Sequence, residues 1–310
     1  MIRAAFLSVV ILSAATLTSS VQAQQKTPPQ PYPALTQQIL LDRAGFSPGE
    51  IDGAIGSNTD RALAAYLRAH ESPTGTPDDG ILRGTAATGA ADAFTSYTIT
   101  REDAAGPFVA IPADMMAKAK LARLNYSSLL EELGERFHCT PALLHGLNPR
   151  ARFVAGARIK VPNVSAPVAP APGSAANVVV SKNASSLTVF DAAGKTIFYA
   201  PTTSGSEHDP LPLGTWAVTA ILQNPTFNYN PDLFWDADPT HTKTRIAAGP
   251  NGPVGVVWIS ISKENYGLHG TPEPVLVGHS ESHGCVRLTN WDATKLANLV
   301  KKGTPVVFEE

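Results

Sequence analysis

The chain has 310 residues, 43% of them hydrophobic, with a formal net charge of -2. The length predicts two or three domains, and the apolar fraction is ample for buried cores. The near balance of charge leaves no basic excess for nucleic acid and no acidic tail. The two cysteines, Cys139 and Cys285, are too few for a disulfide-framed secreted scaffold.

In chain order, the first segment reads as a secretory signal over residues 1–23. Arg3 supplies the positive start, Ala4 to Leu17 are apolar and uncharged, and Val21-Gln22-Ala23 forms a small-x-small cleavage site. The apolar run is interrupted by Ser8, Ser13 and Thr16 and falls short of the ~20 residues that a membrane span needs. An exported protein with no membrane span after cleavage is expected. Residues 24–33 are polar and Pro-rich and read as a tether.

A small helical module follows at 34–85. Leu35, Ile39 and Leu40 have helical spacing. Turns at Gly45–Gly49 and Ile51–Gly56 lead to a second helix carrying Ala62, Leu63, Tyr66 and Leu67, with Ser57 or Asn58 as its cap. A small α+β module is predicted over 95–163. A strand at Tyr97–Thr100 is followed by a helix capped by Ser127 or Ser128. Thr140-Pro141 opens another helix, with Pro at the first position where it fits best, and Asn148-Pro149 stops it. Residues 157–162 alternate as a closing strand. Residues 164–176 are rich in Pro and Ala and read as an extended linker.

Residues 177–310 read mostly as strands: 178–180, 187–190, 196–199, 215–221, 256–261 and 305–308. One helix is predicted from Asn290 or Asp292 through Val300. Short strands between regular turns predict a mainly β domain, a sandwich with one or two helices.

The chemistry concentrates in this region, at Tyr266-Gly267-Leu268-His269-Gly270-Thr271 and Ser282-His283-Gly284-Cys285-Val286-Arg287-Leu288. A thiol is a weak nucleophile near neutral pH until a neighbour accepts its proton. Histidine has the pKa for that work. His269 lies sixteen positions before Cys285, far enough to sit on a separate strand. His283 and Cys285 are two apart and would share a face if the chain is extended there, as would Cys285 and Arg287. Gly284 frees the backbone for close approach and for amides aimed at a developing oxyanion.

This pair of motifs resembles the L,D-transpeptidase family with its YkuD-type catalytic domain. The resemblance spans 177–310 and takes in Arg245-Ile246-Ala247-Ala248-Gly249-Pro250 and Pro253-Val254-Gly255. It implies a β-sandwich that acts on peptidoglycan stem tetrapeptides. Cys285 would attack the carbonyl between the third residue and the terminal D-Ala, with His269 as base. D-Ala would leave, and an amine of a second stem would resolve the thioester into a 3→3 cross-link. An outer-membrane protein could serve as acyl acceptor instead, and hydrolysis would give an L,D-carboxypeptidase side activity. Gly270, Ser282, His283 and Gly284 would shape the pocket and oxyanion site, and Arg287 would hold a substrate carboxylate. No metal or organic cofactor is implied, and the location would be the periplasm, at the cell wall.

Two further stretches carry weaker resemblances. Ile51-Asp52-Gly53 through Thr59 resembles the peptidoglycan-binding type 1 module. Leu147-Asn148-Pro149, Gly156 and Ile159-Lys160-Val161-Pro162 resemble the end of a LysM carbohydrate-binding module, interrupted by an insertion at Gly106–Leu121. They imply wall-binding modules or, with the insertion, spacers, tethered through the linker to a catalytic domain that folds alone. Two other classes compete. One is a zinc hydrolase using His269, His279, His283 and Cys285, whose side-chain types suit zinc. The other is a wall-binding protein without catalysis.

Overall fold

The computed structural model describes residues 33–70, 93–165 and 169–310. The signal sequence, most of the Pro-rich tether, residues 71–85 of the helical module and residues 166–168 of the Pro/Ala linker lie outside the described residues. Among the described residues no helix is long and apolar enough to cross a membrane.

Helices α1 (Pro33–Arg43) and α2 (Ser57–Ala69) pack as a hairpin. The turn between them is knitted by buried Gln38, whose amide donates to Asp52 Oδ1 and the Ala54 carbonyl, both at 2.9 Å, and accepts from the Gly53 amide at 2.8 Å. The α2 cap differs from the expectation. Gly56 occupies the N-cap without a side-chain bond, and Asn58 instead donates to the Val277 carbonyl at 2.9 Å. A contact with the C-terminal region has taken the side chain that would otherwise cap the helix.

Strands β1 (Phe94–Thr98) and β2 (Arg158–Pro162) pair antiparallel. Between them lie α3 (Arg101–Ala105), α4 (Met115–Lys118), α5 (Leu129–Arg136) and α6 (Pro141–Leu147). Ser128 and Thr140 cap α5 and α6, because each hydroxyl accepts an otherwise unpaired amide of the first turn. Leu35, Ile39 and Ile51 share one core with Ile99, Leu133, Cys139, Leu144 and Ile159, so the two N-terminal modules are fused by apolar burial. Cys139 is buried there, and burial pushes its thiol pKa well up.

The C-terminal region is mainly β. Its long sheet comprises β3 (Asn177–Ser181), β4 (Ser186–Phe190), β5 (Thr196–Pro201), β6 (Thr203–Ser204), β7 (Gly214–Gln223), β10 (Val257–Ile261), β11 (Gly267–His269), β12 (Val286–Arg287) and β13 (Pro305–Glu309). A separate ribbon is formed by β8 (Phe227–Tyr229) and β9 (Thr244–Ile246). The nine strands run in the order β5-β4-β3-β13-β7-β10-β11-β12-β6. Strands β5 and β6 stand at opposite edges, yet only Thr202 separates them in the chain. The sheet must therefore coil until its edges nearly meet, folding its apolar face over Val180, Leu187, Ile259, Leu268, Val286 and Phe308. Helix α7 (Asn290–Leu299) plugs this core through Ala293, Leu296 and Leu299. Its cap is Thr289, one residue before the predicted start, with the hydroxyl accepting from the Asp292 amide at 3.1 Å.

The N-terminal modules do not hang from the C-terminal region on a free linker. Beyond residues 166–168, the linker docks on α7: the Gly173 amide donates to the Asn298 carbonyl at 2.9 Å, and Ala175 is buried. The Ser47 amide donates to the Tyr199 carbonyl, and the Tyr199 amide to that of Gly45, both at 2.8 Å. Asp42, fully buried, binds Lys295 Nζ at 2.7 Å and His138 Nδ1 at 3.0 Å. Ser47 Oγ donates to Asp292 Oδ2 at 2.7 Å, and His138 stacks on Trp291. The insertion is part of this packing. Leu124 is buried in one cluster with Tyr229 and Ile246, and Ile111 and Met115 lie against it.

Candidate active site

The pairing of four strands writes the floor of a cavity. Leu222 on β7 is opposite Trp258 on β10, Trp258 opposite His269 on β11, and His269 opposite Arg287 on β12. Side chains opposite one another project to one face. The neighbouring row, Ile221, Ile259, Leu268 and Val286, projects to the other face and packs in the core. Alternation thus sends His269 and Arg287 outward because Leu268 and Val286 are buried. Cys285, two positions before Arg287, joins their side, and all three line a cavity of about 1020 Å³.

His269 is 4% exposed, stacks against Trp258 with ring centroids 5.3 Å apart, and donates from Nδ1 to the Gly270 carbonyl at 2.6 Å. A carbonyl can only accept, so the proton sits on Nδ1 and Nε2 keeps its lone pair. Burial, helped by the nearby Arg287 charge and opposed by the Gly270 carbonyl, lowers the His269 pKa to about 4. The Cys285 thiol donates to the Asn265 carbonyl at 3.7 Å. Burial raises its pKa, while the Gly267 amide and Arg287 pull it back. At rest both groups are neutral: a thiol that can donate and an imidazole that can accept.

The other motif residues have distinct places. Ser282 is buried; its Oγ accepts from the Gly205 amide at 2.8 Å and donates to the Cys285 carbonyl at 2.6 Å, stapling the turn before the cysteine. Gly284 has φ +96°, and a Cβ there would lie 2.7 Å from the Tyr266 ring, so both conformation and space demand glycine. This left-handed turn corrects the extended reading of residues 283–285. His283 lines the cavity together with Cys285; it donates from Nε2 to Asp236 Oδ1 at 2.8 Å and packs on Phe234. Gly270 donates its amide to the Val257 carbonyl at 3.2 Å, so that amide is not free for an oxyanion. The Gly284 and Cys285 amides donate to no acceptor among the described residues. Arg287 is half-buried and makes no ion pair among the described residues, and burial lowers its pKa.

Sequence reasoning missed Trp258, Asn265 and Asp236, and quoted Tyr266 in the motif without giving it a role. Trp258 was open to detection, since it lies in a predicted strand with outward alternation; its partner His269 was invisible without the register. Asp236 belongs to the segment between β8 and β9, which carries no periodic pattern. The insertion also lines the cavity, through Asp114, Met115 and Lys118. No cluster of three or more His, Cys, Asp or Glu side chains suits a metal ion among the described residues. The zinc reading thus lacks a ligand set: His283 is turned to Asp236, and His269 Nδ1 to a carbonyl.

Residues 175–308 match the model of YkuD, the L,D-transpeptidase catalytic domain. The C-terminal region therefore carries a catalytic domain of that type. The chain is 47% identical over 59 residues to YkuD of Bacillus subtilis, a match covering 19% of this chain and 36% of the relative. It is 41% identical over 63 residues to YbiS of Escherichia coli K12, covering 20% of each. Both relatives are named as L,D-transpeptidases. The chain thus spans about a third of the length of the Bacillus YkuD proteins it matches. Among solved structures, L,D-transpeptidase 3 of Mycobacterium tuberculosis in complex with a faropenem-derived adduct aligns with TM-score 0.37. Its identity is 19%, over 52% of this chain and 77% of that one.

Proposed function

We propose that the protein is an exported L,D-transpeptidase of the cell wall, working by cysteine acyl transfer on peptidoglycan stem peptides. The observation that carries this reading is the single cavity face shared by Cys285, His269 and Arg287, which makes no ion pair among the described residues. Arg287 receives a carboxylate of the donor tetrapeptide, for which its planar fork is suited. His269 Nε2 takes the Cys285 proton as sulfur attacks the carbonyl preceding the terminal D-Ala. The Gly284 and Cys285 amides, both without other acceptors, bind the oxyanion. The C–N bond breaks, the imidazolium returns its proton to the leaving amine, and a thioester on Cys285 remains. In the second half, an acceptor amine gives its proton to His269 and displaces the thiolate. A stem amine as acceptor yields a 3→3 cross-link, a protein amine yields wall attachment, and water yields carboxypeptidase activity.

The test is incubation of the protein with purified tetrapeptide muropeptides, with products identified by mass. Release of D-Ala together with a dimer of the corresponding mass is expected. A product cut within the glycan, or no product with unmodified Cys285, would overturn the reading.

A further inference from the structure

A second, smaller groove of about 490 Å³ opens where the insertion meets the β8–β9 ribbon. Two arginines line it, Arg123 just after the insertion and Arg245 from β9, together with Asn224 and Thr226. Each arginine precedes a fully buried anchor, Leu124 and Ile246, in one apolar cluster. The Leu124 amide donates to the Ala248 carbonyl at 3.1 Å, and its carbonyl accepts from the Asn251 amide at 3.0 Å. These bonds fix the insertion against the ribbon and hold the two guanidinium groups over one concavity. Neither arginine makes an ion pair or side-chain hydrogen bond among the described residues, and no carboxylate lines the groove. Alanines at 119, 122, 247 and 248 leave the space open.

Thr226 lines both this groove and the large cavity, so the two adjoin at that residue. The junction follows Leu222 in the chain, at the far end of the row Leu222, Trp258, His269, Arg287. The groove thus adjoins the cavity near the Leu222 end of that row, and Arg287 stands at its other end. We propose that it is the acceptor-strand subsite, where Arg123 and Arg245 hold the carboxylates of a second stem peptide. A donor anchored on Arg287 and an acceptor anchored on the arginine pair would then reach the thioester from opposite ends of that row, with the base between them. This assignment rests on the transpeptidase reading above for its ligand, although the site itself does not.

The decisive measurement is equilibrium binding of a soluble disaccharide tripeptide to the full chain, alongside the same peptide with its carboxylates amidated. Wild-type protein should prefer the free carboxylate form. The double variant Arg123→Gln/Arg245→Gln should lose about tenfold in affinity for that form and bind the amidated peptide unchanged, as expected of two charge-assisted contacts. Acyl-enzyme formation from a tetrapeptide donor, read by intact mass, should stay within about twofold, since only the second half-reaction uses the groove. Unchanged binding of the free carboxylate form in the variant overturns the proposal. So does a parallel loss of acyl-enzyme formation, which would put the pair on the donor side. Absence of an acyl-enzyme in wild-type protein, with the binding difference intact, would instead refute the transpeptidase reading and leave an anionic-peptide site standing.

Discussion

At the scale of single residues, the two cysteines differ by environment alone. Cys139 is sealed in the N-terminal core, whereas Cys285 lines the cavity beside amide donors and Arg287. Cys285→Ala should abolish acyl-enzyme formation with an unchanged melting curve, while Cys139→Ala should keep activity near wild type; intact mass after exposure to a donor separates the two. His269→Ala should lower kcat by about 10²–10⁴, the usual size of general-base catalysis. Because burial lowers its pKa to about 4, His269 is an unprotonated base above that value and is lost as base when pH falls through it. The kcat/KM profile should therefore show an acidic limb near pH 4 that vanishes in His269→Ala and persists in His283→Ala. A limb near pH 6.5 would contradict the buried-base geometry. Arg287→Lys should raise KM for the tetrapeptide with little change in melting temperature, since a point charge cannot reproduce the bidentate fork. Equal kinetics with a lower melting temperature would mark Arg287 as structural.

At the scale of elements, the start of α7 and the end of β11 interlock. Asn290 accepts the Val256 amide at 3.1 Å and donates to the Pro250 carbonyl at 3.1 Å and to Glu135 on α5 at 2.9 Å. A Cβ at Gly270 would overlap Asn290 Oδ1. Gly270→Ala should therefore destabilise the protein by about 1–3 kcal/mol, the usual cost of overpacking. Because Gly270 supplies the carbonyl that orients His269, turnover should fall as well; calorimetry paired with kinetics tests both. The segment between β8 and β9 is held at two points. His241 Nε2 donates to Asp114 of the insertion at 2.7 Å, and Tyr229 donates its hydroxyl proton to His241 Nδ1 at 2.9 Å. Near the other end, Asp236 accepts from His283. Histidines in the motif and in the ribbon thus place this segment over the cavity, a role no local pattern announces.

At the scale of the whole molecule, the segments before the linker are built into the catalytic region. Asp42, Lys295, His138 and Asp292 form a polar network buried where three segments meet, and Lys118 of the insertion lines the active-site cavity. A chain cut to residues 177–310 should melt at a lower temperature than the full chain, because Tyr199, Tyr229 and Ile246 lose their covering. Its turnover on soluble muropeptides should fall, because one wall of the cavity is gone. Equal melting temperature and equal turnover in the two chains would restore the picture of independent modules.

The sequence by itself determined the elements with strong local signals: the α5 and α6 caps at Ser128 and Thr140, the alternating strands, and the glycine-flanked Cys285 and His269 motifs. Each depends on neighbours a few positions away, through capping bonds, pleat alternation or positive φ, and so is written in short stretches of text. Short strands such as β6, β11 and β12 lacked the length to show a period and form by extending the sheet stepwise from β10. The tertiary structure alone decided that Trp258, His269 and Arg287 stand in one row, since register joins residues far apart in the chain. It alone decided that His283 is tied to Asp236, beside the left-handed turn at Gly284. The largest departure, modules packed where a tether was expected, has the same cause. A Pro/Ala segment specifies its own lack of a core, but whether the bodies it joins dock depends on complementary surfaces, here Asp42 against Lys295 and Leu124 against Ile246.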